Sequence, residues 1–450
     1  MVQKERNDDL KVHVDNRQIL SIALPITIAI LVPQLNMLVN SIFLGHLSRE
    51  ALGNAGITGI FYLIFAVAGH GLNSSMQSVF SGYAGKDEPQ AFKTVLSQGI
   101  FISLIISLIF IVLTWLVAPY VLSTIANANS YPAEMSFLKI RIFGLPFLFL
   151  FQMGNAFLIA TLNTRYLLIG FVFEALINVL FDYLLIFGKF GFPAMGFNGA
   201  AVASVIAEIT GLIAVFIVLH ISGLKKKYQL LSTFKLDISV CKKILQIAVP
   251  LMLQFIISLS TWLVFFLLIE DKGPNAKAIS NTMRNVFGLA GIFIWAFAGT
   301  SNSMVSNLIG QKRDNMVIPV IKKISYWSIG LCGIIIVLLN IFPHTFFHLF
   351  GQSDDFSSEG IPVIRMVSLG LVFMSFANIW LNGVTGTGKT KINLLIEIVA
   401  IILYLIYTWY FMKYHYISLA MAWSNEFIYW MTIFTIAYFY LKSGKWKSIK

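Results

Sequence analysis

The sequence predicts an all-α integral membrane protein with twelve transmembrane helices, arranged as two repeated six-helix lobes around a central cleft. Three observations carry this. Of 450 residues, 58% are hydrophobic and 12% charged, with a mean hydropathy of +0.81, a balance foreign to soluble domains. Apolar runs of spanning length recur along the whole chain. Segments of its first half reappear in the second, in the same order.

A bilayer core of about 30 Å takes about 20 residues of helix. Apolar stretches between polar breaks place spans at roughly 18–43, 52–83, 95–121, 137–161, 166–188, 195–221, 244–269, 277–309, 318–342, 360–383, 391–412 and 417–440. This divides the chain into an N-terminal tail (1–17), a first lobe (18–221), a linker (222–243), a second lobe (244–440) and a C-terminal tail (441–450).

Basic residues alternate between successive loops. Lys86, Lys93, Arg165, Lys225, Lys226, Lys227, Lys235, Lys242, Lys243, Lys312, Arg313, Lys389 and Lys391 share one side with both termini. The opposite loops carry Arg49, Lys189, Lys272, Lys277 and Lys413. The positive-inside bias then makes both termini and the linker cytoplasmic, and an even number of spans follows. The formal charge of +12 therefore reports membrane orientation rather than nucleic-acid binding. Two cysteines, Cys241 and Cys332, give no disulfide framework or thiolate metal site. The first apolar run is too long for a signal-peptide core, and no small-residue cleavage site follows it, so it is expected to stay attached.

The repeat rests on three correspondences. ILSIALP (19–25) returns as ILQIAVP (244–250), and GLNSSMQSVFSG (71–82) returns as GTSNSMVSNLIG (299–310). Gly71/Gly299, Ser75/Ser303, Met76/Met304, Ser78/Ser306 and Gly82/Gly310 keep their spacing. The offset grows from 225 to 228, which puts a three-residue insertion in the loop near 270–275. Arg141 and Arg365 head the fourth and tenth spans. Carriers built from parallel repeats bind substrate between their halves and rock one half against the other, and alternating access of that kind is expected here. The repeated glycines and serines are expected to permit close helix contact.

GVTGTGKT, Gly383 to Thr390, fits the phosphate-binding pattern G-x-x-x-x-G-K-[ST]. A working P-loop joins a buried strand to a helix within an α/β domain. Here spans flank it on both sides, and the repeat sets ATLNTR (160–165) opposite GTGKTK (386–391). The segment is read as a decoy: a tight cytoplasmic turn anchored by Lys389 and Lys391, binding no nucleotide.

Polar residues inside spans are costly, about 2.5–3.5 kcal/mol for an ionised group on insertion scales, and mark an interior face. Glu174, Asn178 and Asp182 recur at i, i+4 and i+8 on one face of the fifth span. Arg284 in the eighth span and Glu397 in the eleventh are expected to form a structural salt bridge, with contact between Arg284 and an anionic substrate group as the other reading. Glu208 and His70 are further intramembrane polar groups, His70 being expected in the interior. Trp262, Trp295 and Trp380 would suit an organic cation, though packing or interface positions are the simpler expectation.

LPITIAILVPQLNMLVNSIFLGHLSREALGNAG, LINVLFDYLLIFG and MGFNGAAVASVIAE resemble the first, fifth and sixth spans of the multidrug and toxic compound extrusion (MATE) family. That family lies in the multidrug/oligosaccharidyl-lipid/polysaccharide flippase superfamily. The resemblance implies a V-shaped pair of lobes and a secondary antiporter that exports small organic, often amphipathic compounds against inward H+ or Na+. It also implies a first-lobe cation site, which falls on Asn40, Asn178, Asp182 and Ser204. Asn40 departs from the family by replacing a carboxylate, and Ser260 and Met374 stand where acids of the seventh and tenth spans are usual. On this reading Asp182 binds the coupling cation, H+ or Na+, with Asn178 and Asn40, while Glu174, Arg284 and Glu397 are substrate-cleft candidates. The alternative is a flippase for a lipid-linked oligosaccharide or other lipid-linked substrate. No catalytic residue, cofactor or nucleic-acid partner is expected. A monomer in a bacterial plasma membrane, embedded in the bilayer and meeting a small-molecule substrate, is.

Overall fold

The computed structural model describes residues 10–125, 130–232, 235–270, 272–349, 354–410 and 418–447. Lys413 lies outside them. Helices account for the architecture, and no strand occurs among the described residues. The first half runs α1 (Asn16–Leu47), α2 (Arg49–Lys86), α3 (Ala91–Ile125), α4 (Tyr131–Ala160, through a 3-10 turn at Ile142–Gly144), α5 (Leu167–Phe187) and α6 (Phe197–Ile221). The second runs α7 (Ile238–Glu270), α8 (Pro274–Gly310), α9 (Val317–Ile341), α10 (Asp354–Gly386), α11 (Thr390–Trp409) and α12 (Asn425–Lys442). Eleven of these are long and apolar enough to cross a membrane. The twelfth has 18 residues and starts with a polar turn bearing Asn425 and Glu426. The chain is thus an all-α integral membrane protein of two six-helix lobes.

Local signals set the helix ends. Asp15 accepts a hydrogen bond from the Gln18 amide at 2.7 Å and Ser48 from the Ala51 amide at 2.9 Å, each satisfying an otherwise orphaned donor. Pro25 and Pro33 lie inside α1 and Pro250 inside α7, tolerated because neighbouring helices and side chains can re-satisfy the freed carbonyls in a membrane. At 32 residues, α1 is about 48 Å long, well beyond the hydrocarbon core.

The lipid-facing pattern is clearest on α3. Ile105, Leu108, Ile109, Val112 and Leu116 are exposed along one stripe, while Ser103, Ser107 and Thr114 on other faces are buried. Hydroxyls turned inward and aliphatic chains turned outward invert the arrangement of a soluble helix. Buried Ser75, Ser78, Ser303 and Ser306 follow the same rule. A Cβ on Gly71 would lie 2.7 Å from the Met252 backbone, so α2 and α7 touch closely there.

Two compact units emerge, one of residues 24–252 and the other of 1–23 with 253–450. Each unit therefore includes the opening turns of the other's first helix. Inside the second unit, Asn307 grips the segment before α1: its Nδ2 donates to Leu10 O at 2.8 Å and its Oδ1 accepts from Val12 N at 3.1 Å. Gln311 and Lys323 donate to the carbonyls of Val12 and Val14. Inside the first unit, Gln98 of α3 plays the same part before α7, donating to Lys235 O at 2.8 Å and accepting from Asp237 N at 3.0 Å. The stretch following α6 is packed, contrary to a plain connecting loop. Leu224–Lys227 form a helical turn, and Tyr228 is buried against the rings of Phe92 and Phe157.

Candidate functional site

The fifth-span stripe divides in two. Asn178 and Asp182 are buried on α5, and Asn178 meets the i, i+4 pair Asn36 and Asn40 on α1. Asn36 Nδ2 donates to Asn178 Oδ1 at 2.6 Å and Asn40 Nδ2 to the same oxygen at 3.2 Å. Asp182 is 0% exposed. Both its carboxylate oxygens, and Oδ1 of Asn36 and Asn40, are buried without a hydrogen-bond partner. Asn178 Nδ2 is the one orphaned donor among these four residues. Acceptors left unmade in a buried site cost several kcal/mol, and a carboxylate costs more than an amide. Sequence reasoning names Asn40 and misses Asn36, although Asn36/Asn40 repeats the four-residue spacing of Asn178/Asp182. Ser204, half-buried on α6, makes no hydrogen bond to this cluster.

Glu174, two turns back along α5, is half-buried and lies against Gly211 of α6, where an added Cβ would stand 3.4 Å from its Oε2. Its nearest ionic company is a pair absent from the sequence reading. Arg141 of α4 binds Glu208 of α6 through two hydrogen bonds, Nη1 to Oε2 at 2.8 Å and Nη2 to Oε1 at 2.6 Å. The Tyr62 hydroxyl donates to Glu208 Oε1 at 2.8 Å, and its ring lies 3.7 Å from the guanidinium carbon. Gly144 leaves the space this pair occupies, since a Cβ there would collide with both side chains. Arg365, the repeat counterpart of Arg141, is exposed.

The expected Arg284–Glu397 salt bridge does not form. Arg284 is exposed on α8, whereas Glu397 is 1% exposed on α11. Neutral donors serve it instead: Tyr429 of α12 donates to Oε1 and Gln254 Nε2 of α7 to Oε2, the latter at 3.3 Å. Ser258 joins through the Tyr429 hydroxyl at 3.0 Å. A second acid, Glu426 of α12, is 4% exposed and accepts from Trp430 at 3.1 Å and Tyr404 at 3.5 Å. The sequence reading passes over Glu426, though an acid inside an apolar span was the available signal. His70 is exposed on α2.

The G-x-x-x-x-G-K-T stretch divides between a helix end and a bend, which corrects the expectation that all of Gly383–Thr390 is turn. Gly383 to Gly386 are the last turn of α10, and Thr390 already opens α11. Gly383 is buried, and a Cβ on it would stand 2.6 Å from Ile321 Cδ1 of α9. A Cβ on Gly386 would lie 2.7 Å from Asn302 O of α8. These two glycines therefore serve close helix packing. Only Thr387, Gly388 and Lys389 make the bend. Gly388 takes φ 75° and Leu162, its counterpart at the 226-residue offset, takes φ 60°. Gly388 N bonds Thr385 O and Leu162 N bonds Ile159 O. Ile392 N bonds Lys389 O and Tyr166 N bonds Asn163 O. The same turn is built twice, once with glycines and once without.

The MatE family model matches residues 25–184 and again 250–410, the two matches starting at the repeated prolines. The probable multidrug resistance protein NorM of Thermotoga maritima is 22% identical over 96% of this chain and 93% of its own length. The uncharacterized transporter YisQ of Bacillus subtilis is 27% identical over 51% of this chain, a match that spans 50% of that protein. Among solved structures, an outward-facing multidrug resistance MATE family transporter superposes with a TM-score of 0.87 at 15% identity, covering 98% of both chains. A MOP superfamily transporter from Pyrococcus furiosus, described as having a binding pocket of reverse polarity, gives 0.88 at 16%, covering 98% of this chain and 99% of that one. With both halves matched by its model, the chain belongs to the MatE family of multidrug and toxic compound extrusion transporters.

Proposed function

We propose that the protein is a secondary antiporter that exports small amphipathic organic compounds by alternating access, driven by a cation moving inward through the Asn36–Asn40–Asn178–Asp182 site. One observation carries the coupling: four buried oxygens, two of them on the Asp182 carboxylate, lie without donors on α1 and α5, the two helices that Asn36, Asn40 and Asn178 join. A proton satisfies one of them and whatever its O–H reaches. A sodium ion accepts lone pairs from several oxygens at once, as hard cations do. The oxygen-rich set therefore favours Na+ over H+, and the amide at Asn40 makes the site less negative than a carboxylate would. Both termini are assigned to the cytoplasmic side of a plasma membrane on the distribution of lysine and arginine. No cofactor or nucleotide takes part in this reading, and one chain suffices.

The experiment is efflux from reconstituted vesicles under separately imposed sodium and proton gradients. Efflux that follows the sodium gradient and disappears in Asp182→Asn supports the proposal. Efflux in the variant at the wild-type rate and with the same ion dependence overturns it. A flippase for a lipid-linked, anionic substrate is the second reading. Its support is Arg284, an exposed guanidinium within a span. Translocation of a lipid-linked sugar by the same vesicles, with no response to either gradient, would replace the first reading by the second.

A further inference from the structure

The last turns of α6 carry two apolar faces, of which one is packed. Ala214, Val215, Val218 and Leu219 are buried, whereas Ile213, Phe216 and Ile217 are 52%, 42% and 51% exposed. With Leu212 these three line a groove of about 650 Å³ that ends at His220 and Lys225. Its surface is almost wholly apolar, so the Lys225 stem borders it while the ammonium stands clear of the floor. That ammonium lies 5.9 Å from the centre of the Phe216 ring. The groove starts at Leu212, just past the middle of α6, and reaches Ile221 at the helix end. Nine steps of helix rise about 14 Å, close to the ~15 Å depth of one leaflet's hydrocarbon.

Packing holds the lysines in place beside it. Gly223 turns the chain at φ 74°. Leu224–Lys227 then form a helical turn, with Lys227 N bonded to Gly223 O at 2.8 Å. Leu224 and Tyr228, which flank the three lysines, are 6% and 4% exposed. Anchors at both ends therefore set this positive charge at the groove instead of leaving it on a free loop.

The charge is also uncompensated. Among the described residues neither Lys225 nor Lys226 forms an ion pair, and no acid occurs between Glu208 and Asp237. Ammonium groups at the end of a span, above a track as deep as one leaflet, complement a molecule with an anionic head and a hydrocarbon tail. A soluble acidic partner would leave the track empty. A zwitterionic lipid would bring its own cation against the lysines.

We propose that this groove binds an anionic glycerophospholipid of the leaflet on the linker's side. Its phosphate pairs with Lys225 and Lys226, and one acyl chain lies along Phe216, Ile217 and Ile213 toward Leu212. Binding is noncovalent, and the site is separate from the Asn36–Asn40–Asn178–Asp182 cluster.

Native mass spectrometry of the purified full-length protein tests this, after equilibration with phosphatidylglycerol and phosphatidylcholine of identical chains. A lysine beside an anionic headgroup contributes about fivefold in affinity, so two are expected to favour phosphatidylglycerol by about 25-fold. The double variant Lys225→Gln/Lys226→Gln is expected to lose that preference. Lys391→Gln, which removes an exposed charge at the head of α11, is expected to keep it. Ile213→Trp fills the groove with both lysines intact, and weaker retention of phosphatidylglycerol is expected. Equal retention of the two lipids by the wild type overturns the proposal, as does a preference that survives in the double variant or disappears in Lys391→Gln. Undiminished retention in Ile213→Trp would reduce the effect to adsorption on surface charge, and a dimer that excludes lipid would give the groove to a second copy; either result also defeats it. If the double variant does not fold, each single lysine variant is expected to lose about fivefold, and no loss in both counts against the site. Because no transport is measured, failure of the carrier reading leaves this test intact.

Discussion

Arg141 and Glu208 form a two-pronged ion pair at 2.6 and 2.8 Å between α4 and α6, with the Tyr62 ring stacked on the guanidinium. Glu208 is 3% exposed, so each charge depends on the other for compensation. Removing one partner of a buried pair typically costs about 3–5 kcal/mol, whereas replacing both by apolar residues of similar volume is often neutral. Arg141→Met and Glu208→Leu are each expected to lower the melting temperature in detergent strongly, and the double variant to recover most of the loss. Single variants that melt with the wild type would show that the pair adds nothing to the fold.

The first-lobe cluster makes a graded prediction. Asn36 contributes one neutral oxygen and Asp182 supplies two oxygens and the charge. Asn36→Ala is expected to raise the sodium concentration for half-maximal efflux by about tenfold, equivalent to about 1.4 kcal/mol. Asp182→Asn is expected to abolish the ion-driven efflux with expression unchanged. Equal sodium dependence in Asn36→Ala and wild type would take Asn36 out of the site.

The sequence made the spans readable because hydropathy in a bilayer is a one-dimensional property: an apolar run of sufficient length needs no partner to be identified. Asp182 and Asn178 were legible for the same reason, since a polar residue in such a run must turn inward. Partner choice was not legible. Arg284 and Glu397 look like complements along the chain, yet one is exposed and the other is buried and bonded by Tyr429 and Gln254. Arg141 and Glu208 meet across α4 and α6, and no spacing rule links residues on different helices. The GVTGTGKT segment fell between these cases. The repeat exposed its bend by aligning it with a copy that lacks the motif, but the packing of Gly383 against Ile321 depends on a neighbouring helix and left no mark in the spacing.

The segment before α1 gives a stability test of its own. Asn307 bonds the Leu10–Val12 backbone through both ends of its amide, its Oδ1 also accepts from Gln311 Nε2 at 2.7 Å, and it is 1% exposed. Asn307→Ala leaves a buried carbonyl and a buried amide unmatched, at about 1–3 kcal/mol for each unsatisfied group. Faster proteolytic cleavage between residues 10 and 15 is the expected result, read by the mass of the released peptide. An unchanged cleavage rate would mean that Gln311 and Lys323 hold the segment without it.

The paired turns at 160–166 and 386–392 separate a structural glycine from a phosphate-binding one. Gly388 has φ 75° and open space around its Cα, so alanine would meet strain rather than collision. A left-handed conformation costs an L-residue roughly 1–2 kcal/mol, and Gly388→Ala is expected to destabilise by about that much. Leu162 already carries this strain at φ 60°. In Leu162→Gly the relief is opposed by about 0.5–1 kcal/mol from the added freedom of glycine in the unfolded chain, so its melting temperature should barely move. Lys389, half-buried in the same turn, would contact phosphate in a P-loop, whereas in a turn it anchors the helix end. Lys389→Ala is therefore expected to leave vesicle efflux nearly unchanged and insensitive to ATP. If Lys389→Ala instead abolishes transport and ATP protects the wild-type protein against thermal unfolding, the glycines serve a nucleotide and the shared geometry of the two turns has another origin.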